Sequence, residues 1–142
     1  MPENALEIAK KIDEADGIII GIPEYDHSIP AVLMNALAWV SYGVFPLLNK
    51  PVMITGASYG TLGASRAQLQ LRQILNAPEI KANVLPDEFL LSHSLQAFDS
   101  NGNLVDLDVI KKLDAIFDDF RLYVKITGKL SHATELLHKE AE

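Results

Sequence analysis

The chain has 142 residues, enough for one compact domain and too few for two ordinary ones. With 49% hydrophobic and 22% charged residues, it has the composition of a folded protein with a core rather than of a disordered one. Twelve Lys and Arg against nineteen Asp and Glu leave a formal charge of -7, which disfavours nucleic acid and anionic membrane as partners; the lack of cysteine excludes disulfides, thiolate nucleophiles and cysteine metal sites.

The opening segment MPENALEIAKKIDEADG is amphipathic and acidic, without the basic and apolar blocks of a secretion signal, and no apolar stretch approaches the length of a membrane span. A cytoplasmic location is therefore expected. Leu6, Ile8, Ala9, Ile12 and Ala15 recur at helical spacing between Pro2 and Gly17, which predicts a first helix. GIIIGI, Gly17 to Ile22, is a continuous β-branched run stopped by Pro23, the pattern of a strand covered on both faces in a parallel sheet. After the loop PEYDHSIP, a second helix carries Val32, Leu33, Ala36, Leu37, Trp39 and Val40 on a broad stripe that Gly43 ends.

PVMITG reads as a second strand, TGASYGTLGASR turns the corner, and Leu62 to Leu75 is expected as a third helix with Leu69, Leu71 and Leu75. ANVLPDEFLL suggests a weaker third strand near Asn83 to Pro86, and DSNGN is a turn. Leu107 to about Ile126 forms a long helix through Ile110, Leu113, Ile116, Phe117 and Phe120, with residues 127–142 as a polar helical tail of the same single domain, 1–142. Strands alternating with helices predict an open, doubly wound parallel sheet, whose ligands bind at the carboxyl ends of the strands. PEYDHSIP and TGASYGTLG both fall there, side by side over one crevice.

The second loop admits more than one chemistry. Gly56-Ala57-Ser58-Tyr59-Gly60 fits the G-x-S-x-G nucleophile elbow, with Asp87 and His93 following in triad order, but no second oxyanion loop is evident. A phosphate-binding P-loop would need a Gly-Lys-Ser/Thr ending that is missing, and glycines at 56, 60 and 63 do not reproduce the dinucleotide fingerprint. A third reading is a loop whose small residues bring main-chain N–H groups close to a flat or anionic ligand.

The first loop sharpens the choice. ADGIIIGIPEYDHSIPAVLMNALAWVS together with KPVMITGASYGTLGASRAQLQLRQIL resembles the NADPH-dependent FMN reductase family, the flavodoxin-like quinone, azo and flavin reductases. The resemblance implies a three-layer flavodoxin-like α/β fold, an FMN cofactor and hydride transfer from NAD(P)H to a small-molecule acceptor. It implies that the flavin ring lies against the main chain of Pro23, Glu24, Tyr25 and Asp26, with Ser28 nearby, and that main-chain groups of Ala57, Ser58, Tyr59 and Gly60 meet its pyrimidine edge. No residue is assigned a catalytic side-chain role.

The resemblance also implies a homo-oligomer with the Pro30 to Ser41 helix near the interface. The family's first strand and its Gly-Ser-x-Arg-x-x-Ser phosphate loop have no counterpart in these 142 residues, so the chain reads as N-terminally truncated relative to the family. That leaves the Ile18 to Ile22 edge in need of a covering partner. For the phosphate it leaves only the helix start near Thr61 and Arg66. The runner-up is a non-catalytic flavodoxin-like oligomerisation module that has lost FMN, and the serine hydrolase is third.

The remaining polar and aromatic residues have plainer readings. Trp39, Leu33 and Leu37 are packing or interface residues, Asn35 a structural amide, and His27 a solvated loop residue. Arg66 and Arg72 are expected to make surface ion pairs or cover the helix, and His132 and His138, six apart, do not suggest a metal site.

Overall fold

The computed structural model describes residues 1–141. Its centre is β2 (Pro51–Ala57), in which Val52, Met53 and Ile54 are almost wholly removed from solvent. β1 (Ile18–Ile22) pairs with it in parallel, from Ile18 opposite Val52 to Ile22 opposite Gly56. Two continuous apolar runs thus become neighbouring strands, as their composition predicts.

The other side of β2 differs from expectation. Two short parallel strands lie there, β3 (Asn83–Val84) against Pro51 and Val52, and β4 (Phe89–Leu91) against Thr55 to Ala57. β2 advances four positions between the Pro51 and Thr55 pairings while its partner advances six, so two residues loop out near Pro86. Proline cannot donate to the ladder. Arg72 spans the break, its Nη1 donating to the Leu85 carbonyl and its Nη2 to the Asp87 carbonyl, both at 2.9 Å. This arginine is a staple across a broken strand, not a surface ion pair.

Alternate residues of a strand point to opposite faces. Val52 and Ile54 face α1 (Glu3–Glu14), α2 (Ala31–Val40) and α3 (Ser65–Leu75), in a core that includes Ala9, Ile22, Leu37, Val40, Leu71 and Leu75. Met53 faces α4 (Leu107–Ala141) in a second core with Leu85, Phe89, Leu91, Ile116 and Phe120. Three layers result, as expected for a flavodoxin-like sheet. α4 runs unbroken through the stretch expected as a polar tail, whose last residue, Glu142, lies outside the described residues.

Among the described residues no strand pairs with the outer edge of β1, and Ile19, on the face it shares with Met53, is 50% exposed, so β1 lacks the full cover on both faces that its composition suggests. No helix described is long and apolar enough to cross a membrane.

Candidate functional site

Three loops meet at the carboxyl ends of the strands. In the first, after β1, Tyr25 and Ser28 exchange main-chain hydrogen bonds, N–H of Tyr25 to the Ser28 carbonyl at 3.0 Å and N–H of Ser28 to the Tyr25 carbonyl at 2.9 Å. Between them Asp26 and His27 have φ of 50° and 62°, so the segment is a tight hairpin with two left-handed residues at its tip. Tyr25 and Ser28 thereby engage their own amides. The N–H groups of Asp26 and His27 have no partner within the described chain, and the Tyr25 side chain is 62% exposed.

Both ends of this loop are tied to α3. The Glu24 carboxylate accepts the Ala67 N–H through Oε1 at 2.9 Å, while Oε2 lies 3.7 Å from Arg66 Nη1. At the far end, the Ile29 N–H donates to Gln70 Oε1 at 2.9 Å. Glu24 therefore fills the anion site at the start of α3, and the Thr61 and Arg66 region is not the open phosphate substitute that the sequence suggested.

The second loop, after β2, is held from inside by Ser58. Its Oγ accepts the Gly63 N–H at 2.8 Å and donates to the Gly60 carbonyl at 3.3 Å. No histidine or aspartate contacts that oxygen among the described residues, so no general base activates it as a triad would require. The Ser58 N–H and carbonyl are likewise engaged, with Leu91 at 3.0 Å and the N–H of Ser94 at 2.9 Å. Of the four residues expected at the pyrimidine edge, Ala57 closes β2 opposite Leu91, and Tyr59 and Gly60 keep amides without a partner among the described residues. The Tyr59 side chain is 74% exposed.

The glycines of this loop divide by cause. A Cβ on Gly63, at φ 57°, would come within 2.6 Å of the Leu90 main chain. One on Gly56 would meet Gln68 Nε2 at 2.5 Å and the Ile22 carbonyl at 2.9 Å. Gly60 has no such reason to be glycine: its φ is not left-handed and a Cβ there would meet nothing within 4 Å. Ala64, at φ 62°, follows Gly63 in the left-handed region, so α3 begins at Ser65 rather than at Leu62.

The third loop, Ser92 to Ser94, was not foreseen. The His93 N–H donates to the Gly60 carbonyl at 2.9 Å and Ser92 Oγ to the Thr61 carbonyl at 2.6 Å, so this loop clamps the second one from outside. Its signal, LLSHS, is obscured in the sequence because the strand pattern points to Asn83 to Pro86, whereas β4 lies at Phe89–Leu91. His93 contributes its main chain here. A depression of about 350 Å³ opens beside these loops, lined by Gly21, Ile22, Pro23, Thr55, Ala57 and Phe89 among others. No group of three or more metal-binding side chains is found among the described residues.

An open, largely apolar depression, flanked through Pro23 and Ala57 by two loops that carry unengaged amides, suits a flat conjugated ring with main-chain dipoles rather than an acid–base pair at its edge. Residues 1–96 match the sequence profile of the NADPH-dependent FMN reductase family. The chain is 47% identical over 141 residues to the NADH:(hydroxy)cinnamate reductase subunit CrdA of Vibrio ruber, covering 99% of this chain and 70% of that protein. It is 44% identical over 129 residues to the NADH-dependent flavin reductase subunit 2 of Lactobacillus johnsonii, covering 87% and 70% respectively. Among solved structures, the flavoenzyme NAD(P)H:(acceptor) oxidoreductase FerB of Paracoccus denitrificans superposes with a TM-score of 0.77 at 27% identity, over 89% of this chain and 70% of that one.

Proposed function

The chain belongs to the NADPH-dependent FMN reductase family, and on that premise we propose that it is an oxidoreductase that carries a hydride from NAD(P)H through FMN to a quinone, azo or flavin acceptor. Bound FMN would supply the chemistry, a ring that takes up a hydride in one encounter and gives it away in the next. The chain would supply binding and orientation. Pro23, Glu24, Tyr25, Asp26 and Ser28 would form the platform, its amides at Asp26 and its aromatic surface at Tyr25. Ala57 and Ser58 would set the loop that aims the Tyr59 and Gly60 amides at the ring edge.

Gly60 carries this reading. A glycine with no steric or conformational reason of its own, in a loop clamped on both sides, leaves open space and an unengaged amide for a ligand. The described residues offer no comparable cradle for the phosphate end, since Glu24 occupies the start of α3. A homo-oligomer whose second copy covers the outer edge of β1 would close the sheet beside the site. Two of the relatives named above are themselves described as subunits.

The test is a titration of the purified chain with FMN, followed by absorbance and by quenching of flavin fluorescence, and then oxidation of NADH or NADPH with a benzoquinone. Saturable FMN uptake and flavin-dependent oxidation are expected. A chain that takes up no FMN at high concentration overturns the proposal and leaves the non-catalytic oligomerisation module.

A further inference from the structure

We infer that the carboxylate of Asp26 sets the reducing strength of this site by raising the energy of reduced, anionic flavin relative to the oxidised, neutral form. The inference rests on the FMN reading above, and the balance of charge at the carboxyl edge of the sheet carries it. The three loops and the first turn of α3 hold three fixed charges, Glu24, Asp26 and Arg66, together with His27 and His93. Glu24 and Arg66 lie 3.7 Å apart, and Glu24 is also bonded to the Ala67 N–H. Asp26 has neither an ion-pair partner nor a hydrogen bond among the described residues.

Its position is not adjustable at low cost. The two main-chain bonds between Tyr25 and Ser28 hold Asp26 at φ 50°, and its short side chain keeps the carboxylate close to the main chain on which the ring would rest. Addition of a hydride to a flavin places a negative charge on the ring. Asp26 is exposed, and a carboxylate in the same loop as the ring's platform opposes that charge across the loop. The Tyr59 and Gly60 amides act in the opposite sense, so Asp26 offsets part of their stabilisation and makes the bound flavin a stronger reductant. By linkage, reduced FMN must then bind less tightly than it would without the charge.

Asp26→Asn tests this, because asparagine accepts the left-handed turn and removes only the charge. Asp26→Gly, equally suited to the turn, provides a second route to the same loss of charge. Binding of oxidised and of reduced FMN, and the two-electron midpoint potential, are measured for the unaltered chain and for both variants. In both variants the affinity for reduced FMN should rise about tenfold relative to that for oxidised FMN, an upward shift in midpoint of about 30 mV. Variants that bind FMN with the unaltered ratio of reduced to oxidised affinity overturn the role of Asp26 while the FMN reading stands. An unaltered chain that takes up no FMN overturns both.

Discussion

The carboxylate of Glu24, in the loop after β1, accepts the main-chain N–H of Ala67 in the first turn of α3 at 2.9 Å. The helix needs it, for Ala64 at its start is left-handed and supplies no side-chain cap. One carboxylate therefore caps α3, complements its dipole and ties the first site loop to the helix that carries the second. Glu24→Ala should lower stability by about 1 kcal/mol in a denaturant titration with unchanged m-value. Glu24→Gln, which keeps an acceptor, should lose less. Equal midpoints for all three proteins would mean that the cap is unimportant.

Gly60 and Gly63 should separate binding from folding. Gly63→Ala forces a side chain into the left-handed region and against the Leu90 main chain, and should cost more than about 2 kcal/mol. Gly60→Ala meets open space and should change stability by less than about 0.5 kcal/mol. FMN affinity should nonetheless fall on Gly60→Ala, because the added methyl fills the approach to the loop. An unchanged flavin titration would take the ring away from this loop.

Ser58 should behave as a structural residue. Ser58→Ala leaves the Gly63 N–H without its acceptor and should cost about 1 kcal/mol. Hydrolysis of activated esters by the chain should be no different before and after the change. Ester cleavage that disappears in Ser58→Ala would restore the nucleophile elbow.

Asp99 should give stability a small dependence on pH. Its carboxylate accepts the N–H groups of Asn103 and Asn101 at 2.9 and 2.8 Å, which hold the carboxyl below its ordinary range. A depressed folded value means a contribution present above the unfolded value, near pH 4, and lost as the pH falls through the folded one. Asp99→Ala should therefore melt below the unaltered chain near neutrality, with the gap closing in acid. A gap independent of pH would exclude the carboxylate as its cause.

What the residues announce by themselves is what they do locally. GIIIGI and PVMITG are strands because continuous apolar runs cannot remain solvated, and both site loops follow because such strands need connections at their carboxyl ends. The capping of α3 by Glu24 is a contact across 43 positions, and no spacing rule reports it. The left-handed tip at Asp26 and His27 was equally hidden, since neither residue is the glycine that usually marks such a turn. β4 escaped because Phe89 to Leu91 is three residues long and depends on β2 for its pairing. Its position then concealed the loop at Ser92 to Ser94, the outer clamp of the site.

That dependence makes Arg72 the most informative distant substitution. The register break near Pro86 leaves the Leu85 and Asp87 carbonyls outside a continuous ladder, and the guanidinium satisfies both at 2.9 Å from the partly buried side of α3. Arg72→Met keeps the aliphatic stem, removes both charge-assisted bonds and should cost about 2 to 3 kcal/mol. Arg72→Lys, with a single ammonium in place of a fork, should fall between. The loss should be local first, with the amides of Phe89 to Leu91 exchanging sooner than those of β1, as hydrogen exchange would show. Loosening β4 frees the Leu91, His93 and Ser94 contacts that hold Ser58 and Gly60, so FMN affinity should drop although Arg72 touches no site residue. A destabilised Arg72→Met chain with unaltered FMN affinity would show that the inner Ser58 bonds alone hold the loop, and the outer clamp would lose its role.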